Sequence, residues 1–521
     1  MNPVKTVLWY GEPPSPGIQH LFDVRGFDIR ENLESGALED WLLGRTLVAV
    51  FNYTEQNPKL MEAGYEHLAL FIQHGLRLLF VGATEATGAW LREAHFKRLN
   101  PDYPWDDSVR FLPHLKGLNF DVVVDCPPGP RWRNLLIKQE GNFAKLQEEE
   151  HRLVSRAFGK ADSIQLLKIA GGFSGSRVFM AHEKRREIDS SLGHLSQPRL
   201  IKIGNRKDIS KEILAMSEVS PFIPFELRPN LEISIQGLDK AIYVADFVEK
   251  SESMLDVARA GRAEGAISNL FNRTLQRWRD RANQNQQFGS LAEAAERLKF
   301  ASADWIHFEY LQSEKFRKRQ HDVKALWNML RDFKFSYRAA TIHGDLHGEN
   351  VRVRGDDAIL IDFGAVRGKP EVGQGAPLCF DVATLEVSLA FQYRGRIDGP
   401  NTFEQPAWED EIRSLFNLDA ILSTPSVGSE PAPDSWLLGC LQRIRAFSIY
   451  QQSHPYEYAI ALAIALWRYC KFPPERDSDA DQGRRVVALI LGAEIIEQIK
   501  RKEDESDSYP RSRSSNASAL G

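Results

Sequence analysis

Cysteine is scarce: the 521 residues contain four, Cys126, Cys379, Cys440 and Cys470, far apart and without a C-x-x-C pair. That spacing excludes a zinc ribbon or a dithiol redox motif and points to reduced thiols in a cytoplasmic protein. Long hydrophobic runs are missing too. The most apolar segments, 458–466 and 486–496, fall short of the ~20 residues a bilayer-spanning helix needs, so no membrane association is expected. The apolar run 7–10 stops at Gly11-Glu12-Pro13-Pro14, too short for the core of a secretory signal. Nor does one sign of charge dominate. With 66 Lys and Arg against 71 Asp and Glu, the net charge of -5 gives no global pull toward nucleic acid or anionic lipid. Segment 262–332 carries 13 basic and 9 acidic residues, an excess that a solvated helix face explains without a nucleic-acid partner.

What is present is the composition of a folded protein, 43% hydrophobic and 26% charged, and a length beyond what one core usually organises. Over 1–130, strand-like runs at 6–10, 47–52, 76–82 and 120–125, with a further one near Phe27, alternate with helix-length segments. That order implies crossover connections and a parallel sheet, and it resembles a flavodoxin-like or receiver domain. Receivers carry an acidic pair after the first strand, an aspartate after the third and a lysine after the fifth. Here the corresponding strand ends read Gly11-Glu12-Pro13, Asn52-Tyr53 and Asp125-Cys126-Pro127. The domain therefore lacks a phospho-acceptor site and is expected to be an accessory module that recruits a protein partner.

Pro127-Pro128-Gly129-Pro130 punctuates its end, and 131–162 reads as a helical connector. From 163 to 250 the pattern becomes short strands, at 164–169, 177–182, 200–203, 231–236 and 241–247, a small and mostly antiparallel lobe. Helical spacing dominates 251–500, with 255–330 as a helical insert, and 501–521, rich in charge, Ser and Asn, is expected to be a disordered tail.

The chemistry concentrates in 341–366. His343-Gly344-Asp345-Leu346-His347-Gly348-Glu349-Asn350 fits H-x-D-x-x-x-x-N, and Leu360-Ile361-Asp362-Phe363-Gly364 follows after a turn at Gly355-Asp356-Asp357. A loop, a hairpin and then an acidic strand end is the order that phosphoryl transfer uses. Metal-bound phosphates need carboxylate and amide oxygens on one side, and the attacking hydroxyl needs an in-line acceptor on the other. The segment resembles the aminoglycoside phosphotransferase and choline kinase branch of the protein-kinase-like fold, which writes its loop HGD-L-H-x-x-N. His347 stands where protein-serine/threonine kinases usually have lysine, and no A-P-E follows Asp362-Phe363-Gly364.

By that resemblance Asp345 is the catalytic base, Asn350 and Asp362 are magnesium ligands, and His343 braces the loop. Upstream, Gly171-Gly172-Phe173-Ser174-Gly175-Ser176 lies between two strand candidates. Gly172 and Gly175 would let backbone N–H groups approach ATP phosphates, with Ser174 and Ser176 beside them. Lys202, in Arg199-Leu200-Ile201-Lys202-Ile203, is an ammonium in an apolar strand and needs an anionic partner. Glu212 is the first candidate and Glu218 the alternative. Ile242 to Glu249 resembles the strand and hinge that meet adenine, with backbone contacts at Asp246 and Val248.

Further on, Cys379-Phe380-Asp381-Val382-Ala383-Thr384-Leu385-Glu386 resembles the D-x-A-x-L-E segment of phosphotransferase-type ternary-complex-associated domains of bacterial conflict and signalling systems. Asp381 would support the catalytic loop. The resemblance implies an α/β plus α+β protein: a flavodoxin-like parallel-sheet domain followed by a bilobal kinase-like domain. It further implies ATP and Mg2+ as cofactors and transfer of the γ-phosphate to a hydroxyl of a small molecule or a protein. A nucleotide-binding pseudokinase scaffold is the alternative, and adenylyl transfer a third reading.

Overall fold

A computed structural model of the chain describes residues 5–24, 26–31, 46–53, 62–74, 76–83, 85–97, 109–112, 135–141, 144–159, 161–169, 176–184, 197–237, 239–282, 285–391, 406–423, 436–449, 451–473 and 479–508, with a few isolated positions between them. The chain divides into two compact units, Met1–Glu218 with Pro229–Glu249 and Val219–Arg228 with Lys250–Gly521. Both sheets described next lie in the first unit.

The first sheet contains β1 (Lys5–Gly11), β2 (Phe27–Glu31), β3 (Thr46–Asn52), β4 (Arg77–Val81) and β5 (Val109–Leu112), all parallel, in the order β2-β1-β3-β4-β5. Side chains alternate across a strand, and here alternate residues feed two cores. Leu8, Tyr10, Ala49, Phe51, Leu78 and Phe80 enter one, while Val7, Trp9, Val48, Val50, Leu79 and Val81 enter the other. Burial on both faces is what makes β1, β3 and β4 read as continuous apolar runs. The fifth strand lies at Val109–Leu112, where none was expected; its short Val-Arg-Phe-Leu run carries little periodic signal. The expected strand at 120–125 lies outside the described residues.

At the C-terminal ends of β1 and β3 the polar groups serve the fold. Asn52 Nδ2 donates to the Glu12 carbonyl at 2.9 Å and Trp9 Nε1 donates to the same oxygen at 2.7 Å. An aspartate at position 52 would present an acceptor to that carbonyl, so the amide is the group this corner requires. Gly11 has φ +97, and a Cβ there would stand 2.2 Å from the Asn52 carbonyl oxygen.

The second sheet has the order β10-β11-β9-β8-β7-β6, from β6 (Leu136–Glu140), β7 (Ser163–Lys168), β8 (Arg177–Lys184), β9 (Arg199–Asn205), β10 (Leu231–Gln236) and β11 (Lys240–Asp246). All its pairs are antiparallel except β6 with β7. Strand β6 corrects the expectation of a wholly helical connector. It is an edge strand whose residues are exposed or half-buried, so no clear apolar alternation marked it. Helix forms at Glu148–Ala157, opened by a capping box between Gln147 and Glu150. This helix joins the two sheets: Arg156 donates to the Thr46 carbonyl at the first, while Leu153, Val154 and Ala157 pack into the core of the second.

The second unit is built on the helix Cys379–Phe391, every residue of which is buried. Helices Trp436–Ile449, Glu457–Tyr469 and Asp479–Ser508 pack around it. Two expectations are corrected here. The segment expected to be a helical insert contains a strand, Gln286–Gly289, paired antiparallel with Phe335–Ala340. The expected tail begins late, because the last helix continues to Ser508, Lys502 meeting Asp419 at 2.6 Å; Lys and Glu are good helix formers despite their polarity. Residues 509–521 lie outside the described residues. Among the described residues no helix is long and apolar enough to cross a membrane, and Cys379, Cys440 and Cys470 are buried free thiols.

Burial pushes the Glu457 carboxyl up from an ordinary 4.5 to about 7, although the Ser453 and His454 backbone pulls it down. Because the folded form holds its proton more tightly than the unfolded form, its contribution is fully present below pH 4.5 and is lost as pH rises to about 7. The loss is about 1.4 kcal/mol per pH unit across that window. Urea unfolding at pH 5 and pH 7.5 should show the difference, and Glu457→Gln should flatten it; an equally steep dependence in the variant would exclude Glu457 as its source.

Candidate functional site

The strand Phe335–Ala340 delivers the chain into the loop 341–350, and that loop is tied down residue by residue. Asp381, in the first turn of Cys379–Phe391, accepts the His343 N–H at 2.7 Å and the Gly344 N–H at 2.9 Å. Burial pushes this carboxyl up, against the opposing pull of His343 and the two N–H groups. Gly344 has φ +75, and a Cβ there would lie 2.2 Å from the Ala365 carbonyl oxygen; the turn therefore admits glycine alone without rearrangement. His343 is fully buried, with Nε2 3.0 Å from the Ile361 carbonyl and its ring against Phe363. The Gly348 N–H donates to Ser388 Oγ at 2.6 Å.

Asn350 closes the loop on itself. Its Nδ2 donates to the Asp345 carbonyl at 2.9 Å, and its own carbonyl accepts the Ile361 N–H at 3.0 Å. The hairpin Val351–Arg354 with Asp357–Leu360, turned at Gly355 with φ +64, then returns the chain to Asp362. Asp362 is left-handed, φ 60 and ψ 75, with the Gly364 N–H 3.4 Å from Oδ1. A non-glycine residue in that region carries strain, of order 1–3 kcal/mol, that persists where surrounding structure holds it and often marks a functional position.

Within this buried frame the Asp345 side chain remains 38% exposed. Arg468, on the helix Glu457–Tyr469, donates from Nη2 to Asp345 Oδ1 at 2.7 Å and to the Gly344 carbonyl at 2.9 Å. His347 Nε2 stands 3.6 Å from Oδ2. Burial pushes the Asp345 carboxyl up, but Arg468, His347 and His343 outweigh it and hold the group below its usual range. Burial lowers His347, which Asp345 only partly offsets.

In the first unit, Lys202 on β9 is buried, its Nζ 2.8 Å from Glu212 Oε2. Glu212 also accepts the Tyr243 hydroxyl at 2.8 Å. Of the two glutamates left open by the sequence, Glu212 is the partner, and Glu218 is exposed. Ser176 lies against β9, where a Cβ on Gly204 would meet its Oγ at 2.4 Å. The Asp246 N–H donates to the Asn230 carbonyl at 3.2 Å, and Val248 is half-buried. Gly172, Ser174 and Gly175 lie outside the described residues.

The sequence reading missed Arg468 and Ser388, one pairing with Asp345 and the other holding the loop. Among the described residues no three His, Cys, Asp or Glu side chains gather into a metal cage. Asn350 and Asp362 offer oxygen donors of the kind a hard divalent cation shares with phosphate.

No protein-family model matches the chain, and no curated protein matches it. Solved structures similar to it include an aminoglycoside phosphotransferase, a thermostable mutant in ternary complex with AMP-PNP and hygromycin B: 13% identity, 63% of this chain and 94% of that one, TM-score 0.31. A second is an aminoglycoside phosphotransferase from Streptomyces rimosus, at 14% identity, covering 58% and 97%, with TM-score 0.29. A third is a kinase of the Cydia pomonella granulovirus, at 13% identity, covering 58% and 96%, with TM-score 0.28. The chemistry rests on the loop and its geometry.

Proposed function

We propose that the protein is an ATP- and Mg2+-dependent phosphotransferase of the aminoglycoside phosphotransferase and choline kinase type, with a bilobal kinase-like domain. The observation that carries this reading is the assembly of Asp345, Asn350 and Asp362: one loop exposes the first, bonds the second to the first's carbonyl, and lies beside the strained third. Asn350 and Asp362 would hold magnesium, because the bond from Nδ2 orients the amide so that Oδ1 is the remaining donor. Magnesium held there would supply charge neutralisation to the phosphates. Lys202, oriented by Glu212, would grip the α- and β-phosphates, with Gly172, Ser174, Gly175 and Ser176 alongside. The Asp246 carbonyl and Val248 backbone would meet adenine, since the Asp246 N–H is already engaged.

In the transfer step the acceptor hydroxyl oxygen bonds to the γ-phosphorus while the bond from that phosphorus to the β,γ-bridging oxygen breaks. ADP leaves with the electron pair, and the hydroxyl proton passes to Asp345. Oδ2 is the receiving atom, because Oδ1 is held by Arg468. His343 and Asp381 act as positioning residues, fixing the loop backbone. The order β2-β1-β3-β4-β5, all parallel, supports a flavodoxin-like reading of the N-terminal sheet. Its lack of a phospho-acceptor site supports a partner-recruiting role.

The test is turnover of ATP labelled at the α or γ position by the full chain with magnesium. Label transfer from the γ position with ADP release is expected, and Asp362→Ala and Lys202→Ala should each lose it. Release of AMP would instead establish adenylyl transfer. Magnesium-dependent binding without turnover would establish a scaffold.

A further inference from the structure

Three cations gather beside Asp345, more than its single charge can balance. Arg468 engages Oδ1, and its guanidinium lies over the Phe300 ring at 4.5 Å. Arg367 faces the same turn: a Cβ on Gly344 would meet its Cδ at 3.2 Å, and its backbone pairs with Ile342. Its Nη1 donates to the Leu298 carbonyl, while its buried Nε has no hydrogen-bond partner among the described residues. Lys471, three residues beyond Arg468, holds its ammonium 4.6 Å from the Trp305 ring centroid and is exposed.

The charges acting on Arg367 are Arg468 and Asp345, and those acting on Lys471 are Arg468, Arg367 and Asp345. Burial lowers both groups, Arg468 lowers both further, Arg367 also lowers Lys471, and Asp345 alone opposes. Asp345 and Asp362, the latter acting on the neighbouring His347, are the acids of this site, and the side of Asp345 that carries Arg468, Arg367 and Lys471 is cationic. An ammonium-bearing acceptor would meet repulsion there. An anion would be drawn in, and the Arg367 and Lys471 donors suit phosphate or carboxylate oxygens.

We infer that the acceptor is a hydroxyl compound bearing an anionic group, phosphate or carboxylate, which Lys471 and Arg367 bind while its hydroxyl faces Asp345 Oδ2. This rests on the phosphotransferase reading, which the labelled-ATP experiment tests without an added acceptor through transfer to water. The same balanced step applies, with the acceptor oxygen taking the γ-phosphoryl group and its proton going to Asp345.

The experiment measures ATP-dependent phosphorylation and direct binding by the full chain with four probes: glycerol 3-phosphate, gluconate, sorbitol and choline. The expected result is that glycerol 3-phosphate or gluconate binds and is phosphorylated with kcat/KM at least tenfold above sorbitol and choline; the two anions separate phosphate from carboxylate recognition. Lys471→Glu should raise KM for that anion at least tenfold, the loss falling on acceptor KM. Lys318→Glu, an exposed exchange at a lysine that pairs with Glu314, controls for net charge. Preference for sorbitol or choline would overturn the inference, as would binding of neither anion. A Lys471→Glu loss confined to nucleotide affinity would also overturn it, by assigning the cations to the triphosphate.

Discussion

Asp345→Asn should lower kcat by about 10²- to 10⁴-fold, the range over which a positioned general base contributes, with nucleotide Kd changed by a few fold at most. The substitution keeps the side chain's size and lets one amide oxygen accept from Arg468 at the Oδ1 position. What it removes is the second carboxylate oxygen, the group that can take the acceptor's proton. Arg468 also makes a prediction about pH. Because it and its histidine neighbours hold Asp345 below the usual carboxylate range, the acid limb of kcat/KM set by this group should fall below that of an ordinary aspartate. Single-turnover ADP formation and nucleotide titration on the same samples check both. An Asp345→Asn protein that turns over at the parent rate would remove Asp345 from the chemistry.

The loop was legible in the sequence because its residues are neighbours in the chain. His343, Asp345, Asn350 and Asp362 lie within 20 positions, and the hairpin between them is short enough to read from a turn residue. Lys202 was legible for another reason: an ammonium in an apolar strand demands a partner, and the partner is at 2.8 Å. The same argument, applied to Arg468 in Ala465-Leu466-Trp467-Arg468-Tyr469, would have asked which anion answers a guanidinium in an apolar helix. What the chain could not reveal is that the answer lies 123 residues earlier. Strands β5 and β6 escaped for a local reason: each is short and at a sheet edge, so neither carries the alternation that marked β1 and β3.

Glu386→Ala should destabilise the second unit by about 3–5 kcal/mol, the cost of leaving a buried charge without its partner. Glu386 is fully buried and accepts from Arg445 Nη2 at 2.6 Å and Nε at 3.0 Å, and from the Tyr458 hydroxyl at 2.5 Å. One carboxylate thereby links Cys379–Phe391 to Trp436–Ile449 and Glu457–Tyr469. Truncation strands a guanidinium whose remaining acceptors are the Leu415 and Ala420 carbonyls. Replacing both partners, Glu386→Leu with Arg445→Leu, should cost less than the single change, because no buried charge is then orphaned. Urea unfolding followed by tryptophan emission would show this, and a single-variant cost below about 1 kcal/mol would refute the assignment. The consequence should reach the catalytic loop. Asp381 and Ser388, which hold the N–H groups of His343, Gly344 and Gly348, flank Glu386 on the same helix. Loss of the ion pair should therefore speed amide exchange at those three N–H groups before the unit unfolds, whereas Glu386→Gln, which retains an acceptor for Arg445 or Tyr458, should speed it less.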